Sequence, residues 1–412
     1  MAQINITLNQ EEIQELLREN RPESFRKLLE ESLNSILKAE SKEQLGAERY
    51  ERSEERKDSR NGMRERTLQT RIGRITLDVP RHRNVPFKTL VFDNYKRSEA
   101  ALIGVMAEMV VNGVSSRKVG TVMEELCGTN FSKSTVSEAC KELDKAVDEF
   151  RIRPLTEEYP FVMVDATYFK VRENHRVVCK AMMIATGTKI DGHREVLGFG
   201  IYSCESKENW RDFLEKLKRR GLHGVKMVTS DAHEGIRYAV SNVYPEVPWQ
   251  RCQTHFSRNI LDHAPKKYQA DIHVKLLKMY NCETEEAARK QRDNIIEEYR
   301  DVAERAMDCL EQGFESVITV LALPKSLRRY FRTSNHLERL NKEMKRRSDV
   351  IGVFANESSL MRLMGSVLME LNDGYISGRL MHFKKEDISK LEESGEKLRE
   401  IASQQRALLT AA

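Results

Sequence analysis

Apolar and polar positions repeat along this chain with two periods, and the switches between them mark its parts. Residues 23–37 put Phe25, Leu28, Leu29, Leu33, Ile36 and Leu37 on one helical face. Ahead of it, Asn9 followed by Glu12 is a capping signature for a short helix over 11–19, ended near Pro22. Nothing close in sequence is complementary to the stripe, so dimerisation is one way to cover it. Residues 43–60 are nearly all charged and read as a solvated helix or a linker. Asn61-Gly62 signals a turn. The period then shortens to two over 67–70 and 75–79, strands joined around Gly73 and stopped by Pro80. Helical spacing returns over 98–111, capped by Ser98 and ended at Asn112-Gly113, and again over 115–126 and 132–150, with Gly128 in the intervening turn.

Pro154 and Pro160 bracket a linker into a region of strands. Residues 161–171 begin with four apolar positions in a row, as a buried strand does, and 176–186 and 195–203 follow as antiparallel neighbours. A helix from Ser206 carries Trp210, Phe213, Leu214 and Leu217; a strand over 225–230, a helix over 233–243 and a short strand over 247–250 come next. From 260 to 321 every stretch reads helical. Basic helical sequence over 333–347 and helices over 358–372 and 384–406 complete the pattern.

Composition narrows the class. A chain of 412 residues exceeds one ordinary core. No apolar run approaches a membrane span and the N-terminus lacks a signal-peptide pattern, which predicts a cytoplasmic protein with no membrane partner. Seven scattered cysteines predict reduced thiols. The net charge is only +5, but residues 324–347 hold nine Lys or Arg against two Glu, a concentration that suits a polyanion.

Two strands carry carboxylates. Asp165 sits inside the first and Asp231 directly follows the fourth. Taken alone, Asp165 is equally well a surface acid on an edge strand; the pair points to a shared Mg²⁺, held by hard oxygen ligands. Three antiparallel strands with an acid in the first, a helix, and a fourth strand ending in a second acid is the ribonuclease-H-like order. It would bring Asp165 and Asp231 together and draws its third acid from a later helix. Glu338 suits, between the apolar Leu337 and Leu340; Glu343 is its rival on another face. The spacings of 66 and 107 residues leave room for the helical block as an insertion. Three carboxylates anchoring two Mg²⁺ (or Mn²⁺) ions supply what phosphodiester cleavage needs: an activated nucleophile and a stabilised leaving oxygen. Arg339, Lys342, Lys345, Arg346 and Arg347 would hold phosphates beside them. Helix, turn, helix over 115–150 reads as a helix-turn-helix whose Lys133, Ser134, Thr135 and Ser137 reach base edges, and Arg81 and Arg83 read as a basic arm on the DNA backbone.

The segments VDATYFKV, ENWRDFL, RGLHGVKMVTSDAHEGI, WQRCQTHFSRNI and TSNHLERLNKEMKRR together resemble the Mutator-related transposases of bacterial insertion sequences, and the likeness runs over most of the chain. Thr333-Ser334-Asn335 departs only slightly from a frequent Thr-Thr-Asn. The resemblance implies that Asp165, Asp231 and Glu338 are a DDE triad that cuts element ends and joins them to target DNA, that the N-terminal part binds the terminal inverted repeats, and that the protein works at the nucleoid. Acting on two ends suggests a homodimer, and no small-molecule substrate is expected. Cys252 and His255 form a motif that the family shares; two ligands do not make a zinc site and no second pair stands at an obvious spacing, though Cys282, His263 and His273 are available in principle, so the motif reads instead as shaping the floor beside the acids, or His255 as a phosphate contact. Trp210 reads as a core residue or, by analogy with related transposases, as a platform for a displaced base.

The expected architecture is α/β and multi-domain: a ribonuclease-H-like mixed-sheet core with an all-α insertion, preceded by a helix-turn-helix and a small β-hairpin/helical N-terminal region. Its divisions are 1–60 (helical), 61–97 (hairpin and arm), 98–153 (helix-turn-helix), 154–259 and 326–380 (core), 260–325 (insertion) and 381–412 (C-terminal helix). The rival functions are a non-catalytic DNA-binding regulator and a nuclease or resolvase acting on branched DNA.

Overall fold

The structure, a computed structural model, describes residues 21–47, 51, 56–70, 73–89, 100–127, 131–378, 381, 383 and 385–411. The expected helix over 11–19 with its Asn9 cap, the Ser98 cap, Gly128 and the start of the last helix at Lys384 lie outside them. The chain divides into two compact units, 1–142 and 143–412.

In the first unit, the apolar stripe of α1 (Arg21–Leu45) has its partner in the same chain. Strands β1 (Arg60–Thr70) and β2 (Gly73–His82) pair antiparallel, with Leu68 opposite Ile75. Leu68, Ile75 and Leu77 close over Leu37, with Leu29 and Leu33 packed alongside. The stripe therefore gives no reason for a second copy; Phe25, at its end, stays 47 % exposed. Two turn expectations are corrected. Asn61-Gly62 lies within β1 at a bulge, where Gly62 takes φ +78°. Pro80 does not stop β2, because in a two-stranded ribbon every strand is an edge and the missing N–H costs no ladder bond. Within the charged 43–60 stretch, the described residues include the end of α1 and a fixed acid, Asp58. Asp58 is buried and accepts the backbone N–H groups of Ser59, Asn84 and Val85 and the Asn84 side chain; these bonds, Val85 foremost, hold its carboxyl down at about 2. Helices α2 (Ala100–Val111), α3 (Ser116–Cys127) and α4 (Lys133–Cys140) pack around Met106, Val119, Met123, Phe131 and Val136. Gly120 lets α3 approach the chain closely, since a Cβ there would meet the Phe131 carbonyl oxygen at 2.7 Å. The helix expected over 132–150 is two: it breaks at Lys141, and α5 (Glu142–Ile152) starts anew.

The second unit is built on a five-stranded mixed sheet in the order β5–β4–β3–β6–β7. Strands β3 (Phe161–Glu173), β4 (Arg176–Thr188) and β5 (Arg194–Tyr202) meander antiparallel; β6 (Met227–Ser230) and β7 (Trp249–Arg251) join parallel beside β3. The first turn uses Asn174 and His175 at positive φ. Alternation along β3 explains the layers. Val162 and Val164 face α6 (Lys207–Arg219) and α7 (Glu234–Val243), meeting Trp210, Phe213, Leu214, Ile236 and Val240. Phe161 faces the other way and stacks on Phe331, ring centroids 3.6 Å apart.

After β7 the chain forms α8 (Gln253–Asp262), α9 (Lys266–Tyr280), α10 (Glu285–Tyr299) and α11 (Glu304–Val317), with their own core of Phe256, Ile260, Ile272, Leu276, Ile295, Leu310 and Phe314. A short 3-10 turn (Thr319–Ala322) leads back to the sheet, where α12 (Lys325–Phe331), α13 (Asn335–Asp349) and α14 (Glu357–Ile376) cover its second face. Asn372 on α14 accepts the Val196 N–H of edge strand β5 (2.9 Å). At the opposite edge, Gln405 on the last helix, α16 (Gly395–Ala411), which follows α15 (Lys385–Glu393), accepts the Trp249 N–H and donates to the Trp249 carbonyl, each at 2.8 Å. One side-chain amide thus serves β7 as a neighbouring strand would. No helix among the described residues is long and apolar enough to cross a membrane.

Candidate active site

The parallel pairing of β3 with β6 puts Met163 opposite Thr229, and both aspartates come two residues later. Asp165 is still in its strand; Asp231 has just left β6 and accepts the His233 N–H (3.3 Å) at the turn into α7. Side by side at one end of two adjacent strands, the two carboxyls repel. Burial, and then the charge of Asp231, push the Asp165 carboxyl up to about 7, against the opposing pull of the Ala166 N–H (2.9 Å). Its other oxygen accepts from the Asn341 amide (2.8 Å).

Asn341 lies on α13, one turn beyond Glu338, so both reach the same side of the sheet as Asp165. The Glu338 carboxylate accepts from Arg258 (2.9 Å) and lies 3.1 Å from His255 Nε2 as an ion pair, the two partners standing one turn apart on α8. Cys252 precedes that helix and takes the Ser334 N–H at the start of α13 (Sγ, 3.3 Å), while the Gln253 N–H donates to the Arg332 carbonyl (3.0 Å). The Cys-x-x-His segment thus ties the strand that follows Asp231 to the helix that bears Glu338. Burial would raise the Cys252 thiol, but hydrogen bonds with His255 and Ser334 outweigh it and bring the thiol down to about 7. Cys252 in turn raises His255 against the effect of burial, helped by the charges of Glu338 and Asp165. His336 fixes the same helix to β4 through Thr186 (2.6 Å); burial holds its ring neutral, at about 3.

Asp165, Asp231 and Glu338 therefore share a neighbourhood. Among the described residues, however, no three Asp, Glu, His or Cys groups are gathered closely enough to hold a metal ion, and Glu338 is turned onto His255 and Arg258. A desolvated Asp165 carboxyl repelled by Asp231 fits a divalent cation, which would relieve both the burial of Asp165 and that repulsion. Glu343, the rival acid, is taken by Arg346 and Arg347, which hold its carboxyl down at about 2.

The remaining candidates fall at several places. Arg347, expected on a DNA face, is 5 % exposed and pairs with Glu343 and Glu370; Lys345 donates to the Tyr168 carbonyl and lies over the Phe169 ring. Arg339, Lys342 and Arg346 are exposed. Trp210 has no accessible surface and packs edge-on to Phe213, which is the core position. In the other unit, Lys133, Ser134 and Ser137 are exposed at the start of α4, where Ser132 caps the helix through the Thr135 N–H (3.1 Å), and Arg81 and Arg83 are exposed on the hairpin. Sequence reasoning missed Asn341 and Arg258. Asn341 was within reach: it lies three residues after Glu338 and so on the same helical face. Arg258 carried no signal, because its partner is 80 positions away.

Comparison with known proteins adds a family. Residues 1–378 match the model described as "Transposase, Mutator family". The chain is 40 % identical over 391 residues to the transposase for insertion sequence element IS256 in transposon Tn4001 of Staphylococcus aureus, covering 93 % of this chain and all of that protein. It is 39 % identical to the ISRM5 transposase of Rhizobium meliloti (86 % of this chain, 89 % of the relative) and 38 % identical to the IS1081 transposase of Mycobacterium tuberculosis (87 % of each).

Proposed function

The chain belongs to the Mutator family of transposases, and from that premise we propose that it binds the terminal inverted repeats of an insertion sequence and catalyses hydrolysis and strand transfer at Asp165, Asp231 and Glu338. The observation that carries this reading is the placement of the two aspartates level with each other on adjacent parallel strands, with α13 bringing Glu338 and Asn341 to the same side. The strand order, with the first strand between the second and the fourth, supports a ribonuclease-H-like core.

Bound divalent ions, Mg²⁺ or Mn²⁺, would supply an activated hydroxyl and charge stabilisation at the leaving oxygen. Asp165 and Asp231 hold the cation site. Asn341 orients Asp165 by occupying one of its oxygens. His255 and Arg258 hold Glu338 at the rim, from where its carboxylate would complete the ligand set with the aspartates. Arg339, Lys342 and Arg346 meet phosphates of the strand being cut. In the first unit, α3 and α4 act as a helix-turn-helix, with Lys133, Ser134 and Ser137 toward base edges, while Arg81 and Arg83 lie on the backbone. A protein that joins two ends works as at least a dimer, in the cytoplasm on nucleoid DNA.

The test is strand-specific cleavage of duplexes carrying the element's ends, with Mg²⁺. Asp165→Asn, Asp231→Asn and Glu338→Gln should bind those ends like wild type yet lose cleavage by roughly a hundredfold or more. A neutralised variant that still cuts at the wild-type rate would place the chemistry elsewhere, and retained binding with no wild-type cleavage would favour a regulator.

A further inference from the structure

Ser230 is the last residue of β6, one position before Asp231, and has no accessible surface. A hydroxyl shut inside a protein is costly unless its proton and its lone pairs find partners. Here both do. Its proton goes to the Asp231 carbonyl (2.8 Å), and its oxygen accepts the indole N–H of Trp249 (2.8 Å). Parallel pairing explains the reach. Val228 stands opposite Trp249 and Ser230 opposite Arg251, so Val228 and Ser230 share the face on which the Trp249 ring lies. That face is apolar, with Val162, Val164, Val228, Ile236 and Val240 buried beside Trp249. Packing alone gives no reason for a hydroxyl there, whereas a satisfied polar chain in apolar surroundings specifies one geometry.

The chain of bonds also runs outward, away from the acids. Gln405 on α16 accepts the Trp249 N–H and donates to the Trp249 carbonyl, and its amide donates as well to the Thr319 hydroxyl (3.2 Å). That hydroxyl donates in turn to the Trp249 carbonyl (3.1 Å). The Arg237 guanidinium lies over the indole, 5.2 Å from the ring centroid. Trp249 is thus fixed at its backbone and at its ring. Asp231 is held less firmly: the bond its carboxylate accepts from the His233 N–H is long, at 3.3 Å. A carboxylate so lightly held is aimed by the peptide that carries it, and Ser230 grips that peptide by its oxygen.

We propose that Ser230 and Trp249 are positioning residues for Asp231, joined in a hydrogen-bonded relay that α16 anchors through Gln405. On the reading of Asp231 as a cation ligand, on which this rests, the relay sets where its carboxylate meets the ion. The last helix of the chain then takes part in aligning a site built on strands made long before it.

The test uses full-length protein. Trp249→Phe keeps the ring and removes its N–H; Ser230→Ala removes the hydroxyl between. In each, Mn²⁺ affinity without DNA (read by electron paramagnetic resonance) and the cleavage rate at saturating end DNA should fall about fivefold, the usual net contribution of one hydrogen bond. Affinity for end DNA should not change. The losses should not multiply: the double variant should fall no further than the worse single one, because both changes cut one relay. Gln405→Ala should move both readouts the same way by a smaller factor. The sequence has two tryptophans, so ¹⁵N-tryptophan labelling gives two indole signals, and the one missing from Trp249→Phe should move upfield in Ser230→Ala as its hydrogen bond is lost. Unfolding temperatures report folding; if Trp249→Phe is unfolded, Ser230→Ala carries the comparison. A folded Ser230→Ala with a lowered unfolding temperature but wild-type cleavage and Mn²⁺ affinity overturns the relay, as do losses that multiply, while failure of Asp231→Asn to cut would leave the aspartate in place. Wild-type behaviour of Gln405→Ala overturns the anchoring by α16. Wild-type cleavage by Asp231→Asn overturns both readings.

Discussion

Asp165 shows how burial and a neighbouring like charge make one carboxyl costly to ionise. Its folded-state carboxyl titrates near 7, above the usual value of 3.8. A carboxyl raised in this way binds its proton more tightly in the folded protein, so it favours folding fully below pH about 4, and that contribution is lost as pH rises through about 7. In EDTA, Asp165→Asn should therefore exceed wild type in stability at pH 8, by on the order of a few kcal/mol at most, with the gap closing toward pH 4. Urea unfolding at the two pH values measures it; an Asp165→Asn variant that gains nothing at pH 8 would mean that Asp165 carries no such penalty. Added Mg²⁺ should stabilise wild type and not the variant. Asp165 and Asp231 were readable in the sequence because an acid interrupting an apolar strand is rare. Arg258 was not, since its partner Glu338 lies 80 positions away and nothing local marks the pairing. Arg347 was misread for the converse reason: only the fold reveals that Glu343 and Glu370 enclose it.

Among elements, the crossing of α8 and α11 governs how the helical block sits on the sheet. Gly313 on α11 lies against Phe256 of α8, and an added Cβ would come within 2.3 Å of the ring and 2.8 Å of Arg251. In an open helix, Gly→Ala gains about 0.5–1 kcal/mol. Here the overpacking against a buried ring costs roughly 1–3 kcal/mol and decides the sign. Gly313→Ala should lower the midpoint of thermal unfolding, and because Arg258 and His255 ride on α8, it should also weaken cleavage of end DNA. A rise in the midpoint would show that the two helices are not locked as described. Element types were legible wherever one period ran long enough, as in β3, β4 and α14. The partner of the α1 stripe was not, because the covering hairpin begins well beyond it and only pairing of β1 with β2 creates its apolar face. The break at Lys141 was equally hidden: residues on both sides are good helix formers, and nothing local marks the end of α4.

At the scale of the molecule, the chain divides between Glu142 and Leu143, within a stretch that reads as one helix. Calorimetry on the full-length protein should accordingly resolve two unfolding transitions, and Gly313→Ala should lower only one of them. A single transition that shifts as a whole would indicate one cooperative block. The clasp between Gln405 and Trp249 spans 156 positions. As the polypeptide emerges from the ribosome N-terminus first, β7 is made long before its clasp, and until then the Trp249 N–H has only water to bond while Thr319 already serves the Trp249 carbonyl. Until residue 405 emerges, this border of the sheet is an exposed edge open to pairing with other nascent strands.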